Sequence, residues 1–140
     1  MSGTLSPAFD TALVDPAELA PPLPEQLGAR IAALAEAGEQ AQRAFDRASD
    51  DASRLVAAAR GTDTTSERWM RAQVALADLT SYRSQTRLAL ADVDSIAASA
   101  EVVALDDPSA AAIMAAQSRL SAYVTQQSQR LAELYSVLEL

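Results

Sequence analysis

The chain contains no cysteine, no histidine and no lysine. The first two absences remove thiol nucleophiles, disulfides, zinc sites of the usual ligand types, histidine general bases and the Glu-x-x-His di-iron pattern of some helix bundles. The third leaves arginine as the only cationic side chain, and 11 basic residues stand against 19 acidic ones for a formal net charge of -8. Nucleic-acid binding draws most of its affinity from cations that neutralise phosphates, so this balance argues against it, and against anionic membrane surfaces for the same reason. Glycine occurs only at Gly3, Gly28, Gly38 and Gly61, too sparsely for a phosphate-cradling loop. With no nucleophile–base pair or carboxylate pair to assemble, a protein without catalytic activity, cofactor or metal is expected. Asp92 with Asp94, and the Asp106-Asp107 doublet, lack the glycine and trailing glutamate of a calcium loop.

Long apolar runs are missing too. No stretch approaches the roughly 20 apolar residues of a membrane span. Met1 to Asp15 has neither the basic start nor the apolar run of a secretory signal, so a cytoplasmic location is expected. The lysine-free, Ala-, Arg- and Asp-rich composition points to a GC-rich bacterial genome.

What is present is helical. Hydrophobic residues make up 49% of the 140-residue chain but aromatics only 4%, and alanine supplies much of the rest. A thin core built on close helix contacts follows, as in elongated bundles. Residues 1–22 hold Pro7, Pro16, Pro21 and Pro22 and read as a flexible proline-containing tail, in which Phe9, Leu13, Val14 and Leu19 could form one docking turn. Residues 23–140 read as one bundle of three helices, at about 24–60, 65–105 and 108–138. Pro24 suits a first helical position and Gly61 supplies the stop. Between them Leu27, Ile31, Leu34, Gly38, Ala41, Phe45, Ala48, Ala52, Leu55 and Ala59 alternate as a coiled-coil seam. Thr64 and Glu67 have capping-box spacing, with Ser66 as the competing cap. The second stripe runs Trp69, Ala72, Leu76, Leu79, Leu90, Val93, Ala97 and Ala100. Asp107-Pro108 opens the third helix, whose seam is Ile113, Gln117, Leu120, Val124, Gln127, Leu131, Leu134 and Leu138. Short connections make neighbours antiparallel, so the expected fold is an all-α, elongated, coiled-coil-like, up-down-up three-helix bundle.

That topology brings two groups of residues together. Where the first connection meets the end of the third helix, Trp69 meets Leu55, Val56, Leu134, Tyr135 and Leu138 as a hydrophobic plug, or Trp69, Tyr135 and Leu140 form an exposed partner-binding patch. Halfway along, Tyr82, Arg83, Thr86 and Gln127 meet Phe45 and form a polar waist across an apolar seam. Such a layer fixes register, or admits a small ligand. Along the faces, Glu39 with Arg43, Asp50 with Arg54 and Glu67 with Arg71 have the spacing of surface ion pairs.

A non-enzymatic helical interaction protein asks least of these residues: an adaptor, small scaffold or chaperone with an unidentified protein partner. A second, alanine-rich face at Ala33, Ala37, Ala44, Ala58 and Ala75 also allows a homodimer. A small-ligand-binding bundle is one alternative. Another rests on the segment Tyr123-Val124-Thr125-Gln126-Gln127 with the following Leu131, which resembles phasins, the helical coat proteins of polyester granules, over that short stretch only. Phasins typically contain lysine and this chain has none. The resemblance implies a protein that coats an apolar surface.

Overall fold

The computed structural model describes residues 24–99 and 107–139. The proline-containing tail, the stretch 100–106 and Leu140 lie outside the described residues. Three helices account for nearly all of the rest: α1 (Pro24–Ala59), α2 (Glu67–Ala97) and α3 (Asp107–Glu139), with no strand among the described residues. None of them is long and apolar enough to cross a membrane.

The ends follow from local chemistry. α1 starts at Pro24, where the missing N–H costs nothing, and stops before Gly61, whose φ of 77° is a backbone conformation that side chains with a Cβ rarely adopt. The Thr62 N–H then donates to the Ala59 carbonyl at 3.0 Å, closing the turn. α2 is capped by Ser66, not by the Thr64–Glu67 box: Ser66 is extended at φ -74°, ψ 155°, and its Oγ accepts the Trp69 N–H at 3.1 Å. Thr64 loses because the preceding turn is already pinned, with Asp63 Oδ1 accepting the Thr65 N–H at 3.0 Å, and because Glu67 is engaged by Arg71.

The other end of α2 also differs from expectation. The helix ends at Ala97 rather than near Leu105, although no glycine or proline marks the site. The Ala98 N–H still reaches Asp94 O at 3.0 Å, but the Ser99 N–H bonds Ile96 O at 3.1 Å, an i to i-3 contact that tightens the chain out of the α-helical path.

All three helices pack on one another, α1 and α2 most extensively. Alanines explain the closeness of that pair, since Ala41, Ala52, Ala59, Ala72 and Ala89 are all buried and let the backbones approach. Contacts of Thr86 and Gln127, and of Asp94 and Gln117, make α2 and α3 antiparallel, while Glu39 to Arg119 and Gln42 to Gln127 make α1 and α3 parallel.

The core divides into two clusters. Phe45, Val56, Leu76, Leu79, Leu131, Leu134 and Leu138 fill the half next to the Gly61–Ser66 connection. Leu27, Ile31, Val93, Ile96, Ile113 and Leu120 fill the other, with Ala89 and Ala116. In this open-end half Leu120 presses against Gly38 so closely that a Cβ there would collide with Leu120 Cδ2.

The buried stripes are wider than the sequence seams. Gln42, Ser49 and Val56 of α1, Ala89 of α2 and Ala116 of α3 are buried beside the seam positions, whereas Leu90 is only half-buried. Each helix faces two neighbours, so a third of its circumference leaves solvent, more than a two-stranded seam requires. Arg71 pairs with Glu67 and Arg43 with Glu39, as the spacing suggests, but Arg54 takes Asp51 instead of Asp50.

Candidate functional site

The waist lies between the two core clusters and is held by the expected Gln127 together with Gln42, which its position beside the seam did not reveal. Gln127 of α3 is fully buried, and its Nε2 donates to Gln42 Oε1 of α1 and to Thr86 Oγ1 of α2, both at 3.0 Å. Thr86 passes the chain on by donating its hydroxyl to the Tyr82 carbonyl at 3.1 Å, and Gln42 Nε2 donates to Asp46 Oδ1 at 2.9 Å. One side chain therefore ties three helices at a single level. Gln42 was the missing member because it follows Ala41, the nominal seam position, on a strip that a strict heptad assigns to solvent.

The other waist residues play different parts. Tyr82 contributes its backbone carbonyl, while its ring packs against the connection-end cluster. Arg83 reaches across to Ser128 Oγ at 3.4 Å, and its Nε is buried without a protein partner. Burial, and then the neighbouring Arg87, lower its pKa from its ordinary value, but a guanidinium keeps its charge through such a shift. Gln127 Oε1 is likewise buried and unpartnered. Each is a polar atom taken from water without full compensation, which makes this layer a place where substitutions are felt.

Trp69 and Tyr135 are placed apart in character. Trp69 is half-buried and packs on the connection-end cluster together with Val137, and Tyr135 is exposed. Leu140, the third member of that patch, lies outside the described residues.

A third feature has no counterpart in the sequence reading. Met70, Val74 and Leu88 of α2 are 58%, 61% and 66% exposed, an unusual state for three large apolar side chains on one helix. At about 100° per residue they fall within about 40° of one another, so they share one face, with exposed Ala77, Ser81 and Ser84 between Val74 and Leu88. Beside it runs a groove between α1 and α2. Its connection end is lined by Ala48, Ala52, Leu55, Met70, Val74 and Ala75. Its open end is lined by Leu34, Ala37, Ala41, Leu88 and Ala89. Ala37 and Ala75 of the alanine-rich face are part of it. Hydrophobic residues at 70, 74 and 88 fit a helical period, and that signal was available in the sequence, but it was masked by the stronger stripe on the opposite face.

Charges sit among these apolar residues. Asp51, Glu67 and Asp78 with Arg71 line one end, and Asp92 with Arg47 the other. Among the described residues Asp78, Asp92 and Arg47 make no ion pair, and no group of three or more acidic side chains is clustered for a metal ion. Compared with known proteins, the chain matches no family model, no curated protein and no solved structure.

Proposed function

We propose that this chain is a non-enzymatic interaction protein, an adaptor or small scaffold, whose α1/α2 face receives a helix from a protein partner. The observation that carries the reading is the exposed face of Met70, Val74 and Leu88 beside an alanine-floored groove. Large apolar side chains aligned on one face of a surface helix are a common mark of an interaction site. Small residues on the groove floor let another backbone come close, which favours a helix as the guest. The groove's two hollows together extend from the level of Leu34 and Asp92 to that of Leu55 and Met70, about 30 Å at the helical rise, or close to six turns. Cytoplasmic work in a bacterial cell fits this reading.

A second reading has its own observation. The unpartnered Gln127 Oε1 and Arg83 Nε favour a small polar molecule held at the waist. Native mass spectrometry of the chain isolated from its own cells separates the two. The docking reading expects a stoichiometric protein subunit that disappears in a Met70→Glu, Val74→Glu, Leu88→Glu variant whose circular dichroism is unchanged. A small mass adduct that survives this variant and vanishes with Gln127→Leu overturns docking in favour of the waist.

A further inference from the structure

The α1/α2 groove also carries information about the guest's chemistry, and we infer that it accepts a basic amphipathic helix of about six turns, a deduction that rests on the docking reading above. The groove is lined by four carboxylates, Asp51, Glu67, Asp78 and Asp92, and two guanidiniums, Arg47 and Arg71. Both ion pairs already made there use up part of this set: Arg71 holds Glu67, and Arg54 holds Asp51. Asp78, Asp92 and Arg47 remain unpaired, an excess of negative charge, and the two carboxylates are both exposed on α2, 14 positions apart, which is close to four full turns. Each lies one turn beyond an apolar residue of that face, Asp78 after Val74 and Asp92 after Leu88. A guest helix that lays an apolar stripe on Met70, Val74 and Leu88 thus meets unpaired negative charge at two levels along its length. Arginine or lysine beside its stripe satisfies both.

The same charges argue against a second copy of this chain as the guest. Another copy brings a net charge of -8 and the same acidic groove lining, so the pairing sets like charge against like over the whole face. A cationic helix gains from that field at long range as well as in contact, and its binding must weaken with salt.

The test is a fluorescence anisotropy titration of the full chain with synthetic helical peptides of about 20 residues. One carries a leucine stripe at i, i+3, i+4 and i+7 flanked by arginine, a second the same stripe flanked by glutamate, and a third the arginine peptide scrambled to destroy the stripe. The arginine peptide is expected to bind at least about tenfold more tightly than either of the others. Asp78→Asn with Asp92→Asn should weaken it about threefold or more and flatten its salt dependence. Val74→Glu with Leu88→Glu should abolish binding. Binding of the arginine peptide that is indifferent to Val74→Glu and Leu88→Glu overturns the proposal, because it then reflects only the charge of the chain. Equal or tighter binding of the glutamate peptide overturns it too. So does self-association in sedimentation that Val74→Glu and Leu88→Glu break, which assigns the groove to a second copy. If the native partner is lost in the three-glutamate variant while the arginine peptide shows no preference, the docking face stands and the inferred chemistry falls.

Discussion

The two halves of the bundle core are built from different materials. The half beside the connection joins Phe45 to five leucines of α2 and α3 that are almost wholly buried, and half-buried Trp69 and Tyr82 close around them. Among the described residues the open-end half has no fully buried aromatic and relies on Leu27, Ile31, Val93, Ile96, Ile113 and Leu120, with half-buried Tyr123 against them, while both halves use buried alanines. Each half also has one covalent connection, the capped turn of residues 60–66 in the first and residues 98–106 in the second. Neither half by itself prevents a slip of one helix along its neighbours, because apolar contact is non-directional and a slipped seam again meets apolar residues. The hydrogen bonds from Gln127 to Gln42 and Thr86 do prevent it, since a slip leaves a fully buried amide without partners. Strength and register therefore come from different layers of one molecule.

The sharpest way to break this comparison is to delete the same side chain from each half. Leu76 and Leu120 are both fully buried leucines. Leu76→Ala should cost about 4 kcal/mol and Leu120→Ala about 3 kcal/mol, because the glycine beside Leu120 gives the open-end half more room to relax. Urea denaturation followed by circular dichroism measures both. Equal losses would mean that the halves contribute alike.

Next in size is the waist. Gln127→Leu alone should destabilise by about 2 kcal/mol, since it leaves Gln42 Oε1 buried without its donor and takes a partner from Thr86. Gln127→Leu with Thr86→Val does not repair this, because Gln42 is still buried. The triple variant Gln42→Leu, Thr86→Val, Gln127→Leu should recover the loss or exceed it by about 1 kcal/mol. If the layer sets register, the triple variant also shows more than one set of amide resonances by NMR. A single set with raised stability removes the register role.

The fold was legible from spacing alone where the pattern was dense. Leu27, Ile31, Phe45, Leu76, Leu79 and Leu131 were all placed inside by period, and Pro24 and Gly61 bounded α1 because each acts through its own backbone chemistry. The end of α2 was not legible, because Ala98 and Ser99 carry no breaker and the turn there depends on which carbonyl the Ser99 N–H selects. Gln42 was hidden because burial beside a seam depends on a third helix, which periodicity along one helix does not encode. The groove was hidden for a related reason: a sequence shows which face of α2 is more apolar, but not that apolar residues on a second face are left without a neighbour.

Gly38 offers a smaller and more pointed test of the open-end half. Gly38→Ala gains helix propensity of about 1 kcal/mol but forces a methyl against Leu120, so a net loss of about 1 kcal/mol is expected. In the Leu120→Ala background the same change meets empty space and its sign should reverse, to a gain of about 1 kcal/mol. Gly28 is the control, since nothing lies within 4 Å of its would-be Cβ, and Gly28→Ala should stabilise by a few tenths of a kcal/mol up to about 1 kcal/mol in either background. Additive behaviour at Gly38 would show that Leu120 does not interlock with it.

The smallest effect concerns the turn that closes the stronger half. Hydrogen bonds from the Thr65 N–H, then from the Thr65 and Thr64 hydroxyls, hold the Asp63 carboxyl below its ordinary value of 3.8. A carboxylate whose pKa is depressed on folding adds stability that is fully present above its unfolded value and lost as pH falls through its folded one. The contribution of Asp63 should therefore be constant at neutral pH and fade only below about pH 4. Asp63→Asn keeps an oxygen to accept the Thr65 N–H but cannot titrate, so the gap in urea midpoint between the two proteins should be flat at neutral pH and close on acidification. Because Asp63 is fully exposed, the change is small, and the carboxyl carbon shift of Asp63 in an NMR titration reads it more directly. A midpoint at or above the ordinary carboxylate value would mean that the turn does not hold the charged form, and that Ser66 alone starts α2.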